Sequence, residues 1–219
     1  MVLRLCARMD LPPRERNALL VAAGYAPMYR ESRLDDPAMA AAKQAVELIL
    51  KSHEPYPALA VDRHWNMVAS NRMVALLLQG VAPEMLQAPV NVLRLSLHPQ
   101  GLAPHIVNLA QWRHHLLHRL QTRVTTSGDG VLAALLEELR AMPEPQGHPG
   151  QLPVPETSLG GELAGVLMPF QYRTAHGVLS FISTVTVFGS PVDITLQELA
   201  LETFFPADDF TRQVLAGLH

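Results

Sequence analysis

The stretch Val178-Leu179-Ser180-Phe181-Ile182-Ser183-Thr184-Val185-Thr186-Val187-Phe188 decides the fold class. β-Branched and aromatic residues at this density favour a pleated, half-buried strand. Alternation with a period of two places Leu179, Phe181, Val185 and Val187 on one face, interrupted by Ser183. Upstream, residues 164–173 read as a second strand, joined to the first through the turn Thr174-Ala175-His176-Gly177. Downstream, residues 194–205 fit a strand or a helix, because Leu196, Leu199 and Ala200 also have helical spacing. Pro206-Ala207-Asp208-Asp209 then opens a terminal helix, whose acids suit the positive end of the helix dipole. These runs make a three-stranded antiparallel meander.

Further toward the N-terminus, Ala58-Leu59-Ala60-Val61-Asp62 and Trp65-Asn66-Met67-Val68-Ala69 flank Arg63-His64 and read as a β-hairpin. A helix is expected to start at Ser70 or Asn71 and to carry Met73, Leu76, Leu77 and Leu78. Before the hairpin, Asp35-Asp36-Pro37 opens a helix with Met39, Ala42, Val46, Ile49 and Leu50 on its apolar face. Residues 84–141 read as helical throughout, broken at Pro99, Gly101, Pro104 and Ser127-Gly128-Asp129-Gly130. Residues 143–161 are rich in Pro and Gly and read as a surface loop. Residues 1–24 read as two short helical pieces, the second opened by Pro12-Pro13 after Asp10 and closed by Gly24, with a linker over 25–33. The expected fold class is α+β: an antiparallel sheet of about five strands with helices packed on one face, plus a short N-terminal helical piece.

Composition narrows the function. The chain has 219 residues, 48% of them hydrophobic and only 17% charged, with a mean hydropathy of +0.12. A balance this apolar in a globular chain points to a large buried interface or an apolar cavity. No apolar run reaches the roughly 18 residues of a membrane span, since Arg72, Glu84 and Glu137 interrupt the candidates. The first eight residues turn polar too soon for a secretory signal, so the expected location is cytoplasmic. Cys6 is the single cysteine, which leaves no internal disulfide, zinc ribbon or redox pair. A net charge of -3 lacks the basic character of a free-standing DNA-binding domain.

Arg94 and His98 are the first candidates for polar ligand contacts. Positions four apart share a face in a helix or a strand, and Leu93, Leu95 and Leu97 surround the pair. The planar fork of Arg94 suits a ligand carboxylate, with His98 as second donor; the alternative is an Arg that caps a helix or pairs with an acid. Ile106, Leu109, Trp112, Leu116 and Leu120 form one helical stripe, and His105 and Arg113 fall inside it. Arg113 then needs a protein acid, a helix terminus, another subunit or a ligand, unless it snorkels at the core edge. Phe170 and Phe181, with Met168, Tyr172, Phe188 and Phe204, either line a cavity or fill the core. His114 and His118, four apart with His115 beside them, lack a third ligand at metal spacing and read as a solvated face. No nucleophile elbow, phosphate loop or dinucleotide fingerprint is present, so the expectation is a protein that is not an enzyme and has no cofactor.

Several segments taken together carry a resemblance. They are Pro57-Ala58-Leu59-Ala60-Val61-Asp62-Arg63-His64-Trp65-Asn66 with Ser70-Asn71, and Asn91-Val92-Leu93-Arg94-Leu95-Ser96-Leu97-His98-Pro99. Phe188-Gly189-Ser190-Pro191-Val192-Asp193-Ile194-Thr195 and Phe204-Phe205-Pro206-Ala207-Asp208 complete the set. From about residue 35 to the end, the chain resembles the MmyB-like bacterial transcription regulators. The resemblance implies a PAS-like ligand-binding domain over residues 31–219, preceded over 1–30 by the last part of an Xre-type helix-turn-helix domain and a linker. It further implies a small apolar or fatty-acid-like ligand, a homodimer, no membrane, and DNA contact only through helices that this chain does not contain. Two other readings stand beside it: a PAS-like dimerisation module without ligand, and a small hydrolase or metal enzyme built on the His-rich helix.

Overall fold

In the computed structural model, which describes residues 1–33, 36–143, 168–188 and 193–218, the β-branched run forms strand β4 (Gly177–Val187). β4 pairs with β3 (Phe170–Thr174) on one side and β5 (Ala200–Pro206) on the other. β5 pairs with β1 (Ala58–Val61), which pairs with β2 (Met67–Ser70), giving a five-stranded antiparallel sheet in the order β2-β1-β5-β4-β3. The α+β sheet, the meander and the hairpin are therefore as expected. The ambiguous run contains both structures in succession. Asp193 accepts from the Thr195 N–H at 2.9 Å and caps one short turn, α8 (Ile194–Glu198), before Leu199 turns extended and β5 begins.

Every residue of β1 is buried, because the sheet is covered on both faces there. Leu59 and Val61 point to the face carrying α4 (Val74–Leu77), α5 (Val92–Leu97), α6 (Leu109–Ser127) and α7 (Gly130–Ala141). Ala58 and Ala60, with Leu199 and Leu201, meet Val46 and Leu50 of α3 (Ala40–Ser52) on the other face. The helix α3 follows a 3-10 turn at Pro37–Met39, where Asp36 accepts from the Ala38 N–H at 2.8 Å.

Several local expectations need correction. Within residues 84–141 the break between α6 and α7 falls at Gly128, in the left-handed region, as expected, but residues 87–91 and 98–102 are not helical, and α5 and a 3-10 turn at Ala103–His105 stand before α6. Asn71 caps no helix; α4 starts three residues later, and the Asn71 amide instead ties α3 to β1. The third strand begins at Phe170 rather than 164. Val185 and Val187 keep the Phe181 face of β4 but are exposed, since no described element covers that end of the strand. Leu34, Asp35, the expected loop over 144–161, positions 164–167 and the segment 189–192 lie outside the described residues.

The N-terminal pieces are α1 (Val2–Arg8) and α2 (Pro13–Ala22). Arg14 of α2 donates to both carboxylate oxygens of Glu198 on α8, at 2.6 and 2.9 Å, and also pairs with Glu31. The Ile194 N–H donates to the Arg30 carbonyl at 2.9 Å. The N-terminal helices are thus fastened to the turn that leads into β5.

The last helix, α9 (Asp209–Gly217), is capped by Asp208, which accepts from the Thr211 N–H at 2.7 Å. It sets Phe210 against Gly177, which has φ +123° and would bring a Cβ within 2.9 Å of the ring. Gly177→Ala is expected to cost about 1–3 kcal/mol, by strain at a backbone conformation that side chains avoid. Urea unfolding checks this, and adding Phe210→Ala should recover only the part due to the ring contact.

Candidate ligand-binding site

Between the sheet and α4, α5 and α6 lies a partly open apolar space of about 60 Å³. Leu59, Met67, Phe170 and Phe204 supply its sheet wall, and Leu77, Leu93, Trp112 and Leu116 face them from the helices. The helical residues follow from spacing: on α6, Leu109, Trp112, Leu116 and Leu120 are all buried. A dry apolar cavity of about 150 Å³ holds benzene. This one holds a short alkyl segment at most until its walls move. Met67, Leu78 and Val92 are its half-buried members, and an unbranched Met is well suited to yield there.

Polar groups on this wall are few. Ser96 Oγ accepts from the Trp112 indole N–H at 2.9 Å, which fixes the ring. The other is Glu202, whose side chain is only 8% exposed. It stands on β5 opposite Leu59, on the same face as Ala200 and Phe204. Arg119 Nη1 lies 3.7 Å from its Oε1, an ion-pair distance too long for a hydrogen bond. The Arg119 guanidinium is itself seated over the Trp65 ring, 5.0 Å from the centroid. Among the described residues, the Trp65 indole N–H is buried without a partner.

Burial raises the Glu202 carboxyl above the ordinary carboxylate range, and the Arg119 charge offsets only part of that. The folded chain therefore holds this proton to higher pH than the unfolded chain does. The stability this confers is complete below the unfolded pKa and is lost as pH rises through the folded one. Glu202→Gln should melt higher than wild type at about pH 8, with the difference shrinking toward about pH 4. Parallel thermal melts across that range check it; an equal difference at both ends would contradict it.

The residues singled out from the sequence are dispersed. Trp112 and Phe170 line the cavity. Leu109 and Phe181 are buried in the same core without lining it, Phe181 6.2 Å from the Phe170 ring. His105 lies 5.7 Å from the ring of Tyr172, whose hydroxyl donates to the Leu77 carbonyl at 2.7 Å. Arg113 finds its partner at a helix terminus, donating to the Leu139 and Arg140 carbonyls at the end of α7, each at 2.9 Å.

Arg94 and His98 do not reach the cavity. In α5 Leu93, Leu95, Ser96 and Leu97 are buried, whereas Arg94 turns outward and donates to Glu138 at 2.5 and 2.7 Å. His98 follows the last turn, and its Nδ1 accepts from the Gln100 N–H at 3.1 Å. With His64, Asn66, Asn91 and Glu138, Arg94 lines a separate, wider groove of about 440 Å³ that is open to solvent. The apolar neighbours of Arg94 and His98 in sequence, Leu93, Leu95 and Leu97, are all buried, while the Arg94 side chain is drawn outward by Glu138 on α7. Glu202 went unnoticed because residues 194–205 were not resolved between helix and strand. Read as a strand, Ala200-Glu202-Phe204 would have shown an acid on the covered face.

The His114 and His118 rings stack 6.5 Å apart, and His115 stacks on Trp112 at 5.6 Å. Among the described residues, no group of three metal-ligating side chains is placed to hold an ion. Among the same residues, no helix is long and apolar enough to cross a membrane.

Among family models, that of the MmyB-like transcription regulator ligand binding domain matches residues 42–218. No curated protein matches the chain significantly. The matched family is one of regulatory domains rather than enzymes. Since the match spans the whole sheet and every wall of the cavity, the chain belongs to the MmyB-like transcription regulator ligand binding domain family.

Proposed function

We propose that this domain senses a small apolar or amphipathic molecule, fatty-acid-like in its alkyl body, and adjusts DNA binding by an attached helix-turn-helix in a cytoplasmic homodimer. The observation that carries this reading is the apolar cavity between sheet and helices, with half-buried Met67, Leu78 and Val92 at its margin. Trp112 and Phe170 are the residues foreseen from the sequence that would touch the ligand. A ligand that parts sheet from helices displaces β5, which carries Glu202 and Phe204 of the wall. β5 continues from α8, to which Arg14 is fastened through Glu198. Occupancy would thus bias the position of the N-terminal helices, acting as a population shift that requires different affinity in two states.

Native mass spectrometry of protein purified without additives, followed by thermal-shift titration with alkyl compounds, tests the reading. A retained adduct or a saturable rise in melting temperature is expected. The small volume of about 60 Å³ favours one rival, a PAS-like dimerisation module with a filled core. A dimer insensitive to every alkyl compound would establish that rival instead.

A further inference from the structure

Resting on the cavity reading above, we infer that the ligand's polar end is a hydrogen-bond donor, an amine or a hydroxyl, seated against the Glu202 carboxyl, and is not a carboxylate. Glu202 lines the cavity and is nine-tenths buried, with no partner nearer than Arg119 at 3.7 Å among the described residues. Its oxygens are acceptors in want of donors, in a wall otherwise built of apolar side chains and the engaged Ser96 hydroxyl.

A carboxylate in the same place would meet an acid, and the nearby cation, Arg119, already lies at ion-pair distance from that acid, 3.7 Å away. Arg119 is absent from the cavity wall and is held over Trp65. Arg94 and Arg113 are occupied by Glu138 and by the end of α7, outside the cavity. His115, the ring next to Trp112, has its pKa lowered, chiefly by burial and next by the Arg119 charge, which disfavours its cationic form. A second carboxylate in such surroundings carries a desolvation penalty with one guanidinium shared between two acids, and it raises the cost of ionising Glu202 further. A primary ammonium reverses each term: it donates, it pairs, and it stabilises the ionised form that burial disfavours. A hydroxyl gains the hydrogen bond without the charge.

Probes with one chain and three heads separate the possibilities: octylamine, 1-octanol and octanoate, titrated by calorimetry into the wild-type chain, Glu202→Gln and Leu116→Trp. Wild type is expected to bind octylamine and 1-octanol about ten-fold or more tighter than octanoate, the usual scale of a hydrogen bond to a charged group. Glu202→Gln should abolish the preference for octylamine over octanoate, and Leu116→Trp should weaken all three. Octanoate binding as tightly as octylamine, or an amine preference that survives Glu202→Gln, overturns the head-group inference and leaves the cavity reading intact. Silence of all three probes in wild type, or binding undiminished in Leu116→Trp, overturns the cavity reading itself.

Discussion

Asn71→Leu should lower the melting temperature by about 10 °C, the equivalent of about 4 kcal/mol for a chain of this size. Asn71 is 7% exposed, and Leu has the same branched outline with bulkier methyl groups, so some overpacking adds to the loss of hydrogen bonds. Hydrogen bonding changes a great deal. Asn71 Oδ1 accepts from the Ala58 N–H at 3.1 Å, and Nδ2 donates to the carbonyls of Leu50 at 3.1 Å and Tyr56 at 2.8 Å. The Ala58 N–H at the start of β1 and the Tyr56 carbonyl in the preceding loop would lose the amide that satisfies them, while the Leu50 carbonyl at the end of α3 keeps only the His53 N–H at 3.3 Å. Each costs about 1–3 kcal/mol when orphaned. Asn71→Asp keeps the acceptor and loses both donors, so it should fall at least as far at neutral pH. A shift for Asn71→Leu within about 2 °C of wild type, small on the scale for this size, would mean that water replaces the amide.

The second large effect concerns binding. Leu116 is 3% exposed and faces the cavity from α6. Leu116→Trp places an indole into a space of about 60 Å³. Overfilling a core costs about 1–3 kcal/mol in stability, and the empty volume should hold the loss near the lower end. An alkyl ligand then loses about four methylenes of burial, about 3 kcal/mol or a hundred-fold in affinity. Calorimetry with 1-octanol measures it, and an unchanged circular dichroism spectrum certifies the fold. Retained affinity would move the ligand elsewhere, the open groove beside Arg94 being the first place to look.

Of the site, the apolar half was readable and the polar half was not. The stripe Leu109, Trp112, Leu116 and Leu120 is a local property of one helix, and all four are buried as their spacing requires. Phe170 was likewise found from strand composition. For Arg94 the acid-pairing alternative is the one seen, because a polar residue between leucines says nothing about which way the helix turns, and Glu138, which holds it, lies 44 residues away. Arg113 was correctly seen to need a partner, but helix ends, acids and ligands look alike until α6 and α7 are packed together.

Alternation and turn chemistry alone were enough to settle the α+β class, the hairpin, the meander and the Gly128-Asp129 break between helices, because strand period, glycine conformation and capping act over a few residues. Packing in three dimensions settled the rest. It put α3 behind β1, turned Arg94 away, and set Glu202 against the leucines and aromatic rings of the cavity. The charge on that carboxyl and its distance from Arg119 depend on elements more than eighty residues apart in the chain. Burial and pairing are sums over neighbours from every direction, and a linear pattern records only those along the backbone.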